Sequence, residues 1–204
     1  MNFLAHLHLA EPTPESRMGS ILGDFVRGYP WDDRYSVAVW RGIVEHRYVD
    51  AFTDSHPLWQ KSRDALPPEM RRFAGVIVDI FYDFFLHRHW GTFSPHQSLD
   101  EFVVSAHQQL QKVIRIAPPE AVEAIRSMIA REWLREYATL AGIDLTLKRV
   151  SQRSPVLAPI VDGAGILKEN LDVLESHFLE FYPDLVAYVP KMRAEIREEG
   201  TNKP

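Results

Sequence analysis

The stretch 76–90, VIVDIFYDFFLHRHW, leaves this chain few options. Wound as a helix it is apolar on nearly every side, so it must be buried. Yet Asp79 and Asp83 stand four apart on one face of it, with His87 a further turn on and Arg88, His89 and Trp90 behind. An aspartate is almost never fully buried unless it is paired or bound to a metal. No Lys or Arg stands four residues from Asp79 on either side. The cation it needs must come from elsewhere in the chain or from an ion, and Arg27 or Arg47 is the metal-free alternative.

The remaining segments supply the surroundings of that helix. Apolar residues recur at helical spacing in 99–116 (Phe102, Val103, Ala106, Leu110, Val113) and in a segment opened by Pro118 and Pro119 and running to about 140 (Val122, Ile125, Ile129, Trp133). They recur again in 159–181 (Leu167, Leu171, Leu174, Phe178, Phe181). Shorter helices are predicted over 2–11 with Asn2 as cap, from 15 to the Gly28 and Pro30 stop, over 34–55, 58–66 and 144–152. Pro183 is expected to interrupt the last long helix and 191–204 to fray. Trp31, Asp32 and Asp33 read as a polar loop. No segment offers a convincing strand partner, no linker or repeat divides the chain, and 204 residues at 46% hydrophobic suit one domain. The expectation is an all-α, single-domain helical bundle.

Three more segments put acids and imidazoles among apolar neighbours: His6 and His8, Asp24, and the series His46, Asp50, Asp54 at i, i+4, i+8. With Asp79 and Asp83 they form a nitrogen and oxygen donor set of the kind hard divalent cations accept. The absence of cysteine removes disulfides, thiolate zinc sites and cysteine nucleophiles. There is no P-loop, no G-x-S-x-G and no G-x-G-x-x-G after a strand, which leaves metal-activated water as the chemistry. A net charge of -5 argues against a nucleic-acid binder. The N-terminal MNFLAHLHLA is no signal peptide, and no run of about 18 apolar residues offers a membrane span, so a cytoplasmic protein is expected.

In order and spacing, NFLAHLHLA, ILGDFVRG, HRYVDAFTD and VDIFYDFFLHRHW resemble the acyl carrier protein phosphodiesterase family, a divergent branch of the HD phosphohydrolases. The match thins beyond about residue 102, down to SHFLEFYP near the C-terminus. The resemblance implies an HD-domain-like fold and hydrolysis of holo acyl carrier protein to the apo protein and phosphopantetheine. It implies a divalent metal, Mn first and Mg as the alternative. ILGDF matches the paired His-Asp segment of the superfamily with Gly23 where the His stands, so His46 or Asp50 is left to supply the missing donor.

The expected site then has Asp24, Asp79 and His46 on the metal, with His6 and Asp50 as further ligands. Asp83 is either a ligand or a residue that orients one. Arg47 or Arg27 would neutralise the phosphate oxygens, and His89 would protonate the leaving alkoxide. An acidic carrier would dock on Arg27, Arg63, Arg71 and Arg72, and Trp31, Trp40, Tyr48 and Phe52 would wall the groove for the prosthetic arm. Two other readings compete: an HD-type hydrolase of a nucleotide or other small phosphoester, and a non-enzymatic helical module binding a lipid or haem.

Overall fold

Two helices that cross almost in contact set the geometry of the site. The computed structural model describes residues 1–28 and 34–201, so the expected loop at Trp31, Asp32 and Asp33 lies outside the described residues. Helix α1 (Phe3–Leu9) is followed by α2 (Pro14–Leu22) and α3 (Val37–Ser55). A Cβ built on Gly19 of α2 would lie 2.3 Å from the Val39 carbonyl oxygen, and one on Gly42 of α3 would lie 2.6 Å from that of Ser16. Only glycine at both positions lets these backbones meet. The turn after α2, which carries Asp24, is thereby held beside the middle of α3, which carries His46. Thr13 caps α2 with Pro14 at its first position, and Ser36 caps α3.

The chain continues through α4 (Pro57–Asp64), a 3₁₀ turn at Arg71–Phe73, α5 (Ala74–Arg88) and α6 (Trp90–Phe93). The stretch that dominates the sequence is α5. Ile77, Val78, Ile80, Phe81, Tyr82, Asp83, Phe84, Phe85 and Leu86 are all buried, with α1, α4, α10 and α12 packed around it. The second half comprises α7 (Leu99–Val113), α8 (Pro119–Ala130), the single turn α9 (Trp133–Glu136), α10 (Leu140–Ser151), α11 (Gly163–Glu169) and α12 (Leu171–Thr201). Among the described residues there is no strand, and no helix is long and apolar enough to cross a membrane. The architecture is one all-α helical domain, as expected.

Several local expectations give way. The helix expected over 159–181 is divided at Asn170, and the segment expected to fray from 191 stays helical to Thr201. The helix expected to run to about residue 140 stops at Ala130, because Glu132 takes a left-handed conformation at φ 55° and restarts the chain as α9. Asn2 does not cap α1: its side chain donates to the Tyr137 hydroxyl at 2.9 Å. The cap comes from α5, where the Asp83 carboxylate accepts from Leu4 N at 2.8 Å and Ala5 N at 3.0 Å. And α12 passes through Pro183 and Pro190 without interruption. Each proline costs a helix about 3 kcal/mol or more. Both stand on the solvent face, opposite the buried stripe Leu174, Phe178, Phe181, Tyr182, Leu185, Val189, Met192 and Ile196, whose packing outweighs that cost. Near the end of α12 the Arg193 guanidinium binds Glu45 of α3 at 2.9 Å and donates to the Leu9 carbonyl of α1 at 2.7 Å.

Replacing Gly19 by Ala is expected to destabilise the fold by about 3 kcal/mol, the upper end for overpacking, because the clash is with rigid backbone. Gly75→Ala, whose Cβ would meet nothing within 4 Å, should leave urea melts unchanged or slightly improved.

Candidate metal and active site

His6 on α1 and His46 and Asp50 on α3 converge. Their ligand atoms lie within 4.8 Å of one another. His6 Nε2 is 3.1 Å from Asp50 Oδ1, and His46 Nε2 is 3.1 Å from Asp50 Oδ2. Donors about 2.1 Å from one ion stand roughly 3 Å apart at right angles, so the spacing suits a shared cation. The two imidazoles stack with centroids 3.8 Å apart, and both are buried. His46 Nδ1 lies 2.7 Å from the Ser20 carbonyl oxygen. An N–H there points Nε2, with its lone pair, into the cluster when the ring is neutral.

Two more carboxylates complete the ring. Asp24, in the turn after α2, reaches His46 Nε2 at 3.5 Å. Asp79 on α5 accepts from Trp59 Nε1 at 3.3 Å. Between Asp50 and Asp79 sits a positive charge, the α-ammonium of Met1, 3.1 Å from each. An ammonium bound by two carboxylates occupies the kind of seat a metal cation takes, and together with the donor set it shows that these residues fit one.

The charges are strongly coupled. Burial pushes Asp50 up, but the Met1 ammonium, then His46 and His6, outweigh it and hold the carboxyl far below the usual range. Asp24 is lowered in the same contest, burial against His46. Burial wins at Asp79, which is raised despite the ammonium beside it. Burial lowers the ammonium, yet Asp79 and Asp50 lift it to about 11. His6 falls to about 4 through burial and the neighbouring His46, whereas His46 rises against burial to about 9 through Asp24 and Asp50.

The space beside Gly23 is taken by a ring from another helix. A Cβ at Gly23 would lie 2.1 Å from Cγ of His46. The imidazole from α3 therefore fills the space that a side chain at 23 would need, and it lands beside Asp24.

Several expected members fall elsewhere. Both oxygens of Asp83 are spent on the N-terminal amides of α1, so it is no ligand but fixes the helix that carries His6. Burial raises Asp83 to about 7. His89 pairs with Glu175 at 2.5 Å, ten residues along α5 from Asp79 and so about 15 Å away by helix rise, too far to protonate a leaving group at the cluster. His8 bonds the Tyr182 hydroxyl at 2.8 Å. Arg47 donates to the Val26 carbonyl at 2.5 Å and the Gly28 carbonyl at 2.7 Å, strapping the turn of Asp24 with the donors that phosphate would need. Arg63 pairs with Asp64, and Arg71 staples the carbonyls of Leu66 and Asp64. Arg27 is exposed and borders none of the cavities described below. Arg72, lying 4.4 Å over the Phe73 ring, alone of the four docking candidates borders one of them.

A cavity of about 350 Å³ opens beside the cluster, lined by Met1, Asp24 and Asp79 together with Tyr137, Thr146, Arg149 and Arg153. It shares Gly75, Val76 and Leu157 with a hollow of about 320 Å³ bordered by Arg72. Its aromatic walls are Phe3, Phe25, Trp133 and Tyr137. The expected walls stand away from it: Trp40 is core, Phe52 stacks on Tyr188 at 4.5 Å, Tyr48 does not line it, and Trp31 lies outside the described residues. Sequence reasoning places a helix over 144–152 but gives α10 no part in the site. Thr146, Arg149, Val150 and Arg153 recur at i, i+3, i+4 and i+7, a mixed stripe that could have signalled a lined cavity.

The model of the family described as acyl carrier protein phosphodiesterase matches residues 1–185. This chain belongs to that family. It is 38% identical over 186 residues to the acyl carrier protein phosphodiesterase of Enterobacter sp. (strain 638), covering 91% of this chain and 96% of the relative. It is 37% identical over 186 residues to the acyl carrier protein phosphodiesterase of Klebsiella pneumoniae (strain 342), with the same coverage. It is 36% identical over 187 residues to that of Escherichia coli O139:H28, covering 92% and 96%. No solved structure matches the chain.

Gly23→Ala should drive the His46 ring out of the cluster. Titration calorimetry with Mn is expected to show affinity weakened about 10–100-fold, as for loss of a positioning contact, in a protein whose circular dichroism is unchanged.

Proposed function

We propose that this chain hydrolyses the phosphodiester of holo acyl carrier protein, releasing phosphopantetheine and leaving the apo protein with its serine free. The observation that carries this is the cluster of His6, His46 and Asp50, joined by Asp24 and Asp79, which line a cavity beside it, in a chain of the acyl carrier protein phosphodiesterase family. Cation-binding acids beside a cavity of this size suit a phosphoester with an extended arm.

The ligands are His6, His46 and Asp50, with Asp24 and Asp79 from the neighbouring turn and helix, and the ion is Mn, with Mg as the alternative. A divalent ion held there supplies activated water near neutral pH and charge for the phosphate. The protein does the rest by position. Ser20 orients His46 through its carbonyl oxygen, and Asp83 pins α1 so that His6 faces Asp50. Asp24, ionised and at the cavity, is placed to hold and orient the attacking water and to take its proton. Half-buried Asp79 borders the cavity from α5, where Trp59 fixes its carboxyl.

Mass spectrometry of holo acyl carrier protein incubated with the protein and Mn is expected to show loss of the phosphopantetheine mass. An unchanged carrier, beside turnover of any member of a nucleotide panel, would reassign the substrate. Asp24→Ala and His46→Ala should each lower turnover at least about 100-fold. A correctly folded Asp24→Ala protein with full turnover would remove this site from the reaction.

A further inference from the structure

Charges of both signs line the main cavity: Asp24 and Asp79 come from the turn after α2 and from α5, and Arg149 and Arg153 from α10 and the turn after it. A phosphodiester anion approaching the acids alone is repelled, so it needs positive charge beyond the ion. Arg47 is committed to the carbonyls of Val26 and Gly28. Arg149 is also largely committed: it pairs with Glu136 at 2.8 Å, donates to the Thr146 hydroxyl at 3.0 Å and lies 4.2 Å over the Trp133 ring.

Arg153 is in a different position. Its backbone N–H is fixed on the Val150 carbonyl at 3.0 Å, in the turn that closes α10. Its guanidinium is exposed and, among the described residues, makes no hydrogen bond or ion pair. It lines the main cavity and also a second hollow of about 450 Å³ that shares Phe25, Trp133 and Arg149 with the first. Glu120 and Glu123 border that hollow, yet neither pairs with it. Arg149, four residues earlier, adds a like charge and raises the local positive potential. An arginine with all its donors open, anchored at the backbone and lining the same cavity as Asp24 and Asp79, is suited to grip phosphate oxygens in a bidentate manner.

We infer that Arg153 is the residue that binds the non-bridging phosphate oxygens of the phosphopantetheine group. The inference rests on the phosphodiesterase reading of the cavity and adds to it a phosphate-binding residue outside the metal cluster.

The test measures binding of phosphopantetheine and of pantetheine, which lacks the phosphate, to the Mn-loaded protein. Wild type should prefer phosphopantetheine. In Arg153→Ala its affinity should fall about 100-fold, while pantetheine and Mn bind as before. Arg153→Lys should recover about a tenth of the lost affinity as a point charge without the fork. Binding of phosphopantetheine by Arg153→Ala within about threefold of wild type, well under one strong contact, overturns the inference. A wild type that binds phosphopantetheine through Arg153 yet leaves holo carrier intact overturns the hydrolytic reading and upholds the arginine.

Discussion

A carboxylate taken into a helical core must meet positive charge or give up its own, and this fold is arranged around that requirement. Asp50 receives an ammonium and two imidazoles and stays ionised. Asp79, one ammonium shared with Asp50 and one indole N–H to offset its burial, is pushed the other way. Asp83 receives only the two backbone amides at the start of α1 and is raised to about 7. The same chemical demand is met with an ion pair on α3 and, one turn apart on α5, with a mixed environment and a helix terminus. The first two meetings create a seat for a cation. The third holds one of its walls in place.

The site and the fold are therefore built from the same contacts. The Gly19 and Gly42 crossing brings α2 against α3, and Gly23 leaves room for an imidazole that arrives from the other helix. His46 and Asp24 are adjacent only in space. The separation from 24 to 46 gives no local hint of that adjacency, because it depends on two glycines allowing a backbone approach.

What could be read from the residues follows the range of the interactions. The buried acids, the i, i+4 relation of His46 and Asp50, and the all-helical pattern are local features, and they led to the cluster. Partners that carry no side-chain signature could not be seen. Arg47 and Asp83 bind backbone groups, so their charges suggested a phosphate and a metal in place of a carbonyl and an amide. His89 is answered by Glu175 from the far end of the chain. Pro183 obeys a local rule that a long buried stripe overrides. Arg149 stands on an ordinary short helix and Arg153 in the turn after it, and only the placement of α10 against α5 makes them walls of a cavity.

Arg193 lies past the last residue that the family model matches, yet it ties Glu45 on one ligand-bearing helix to the end of the other at Leu9. The limit of recognisable ancestry is thus not the limit of the cooperative unit. A polypeptide ending at that limit would retain every donor in the cluster and lose the buckle that keeps α1 and α3 in step from behind.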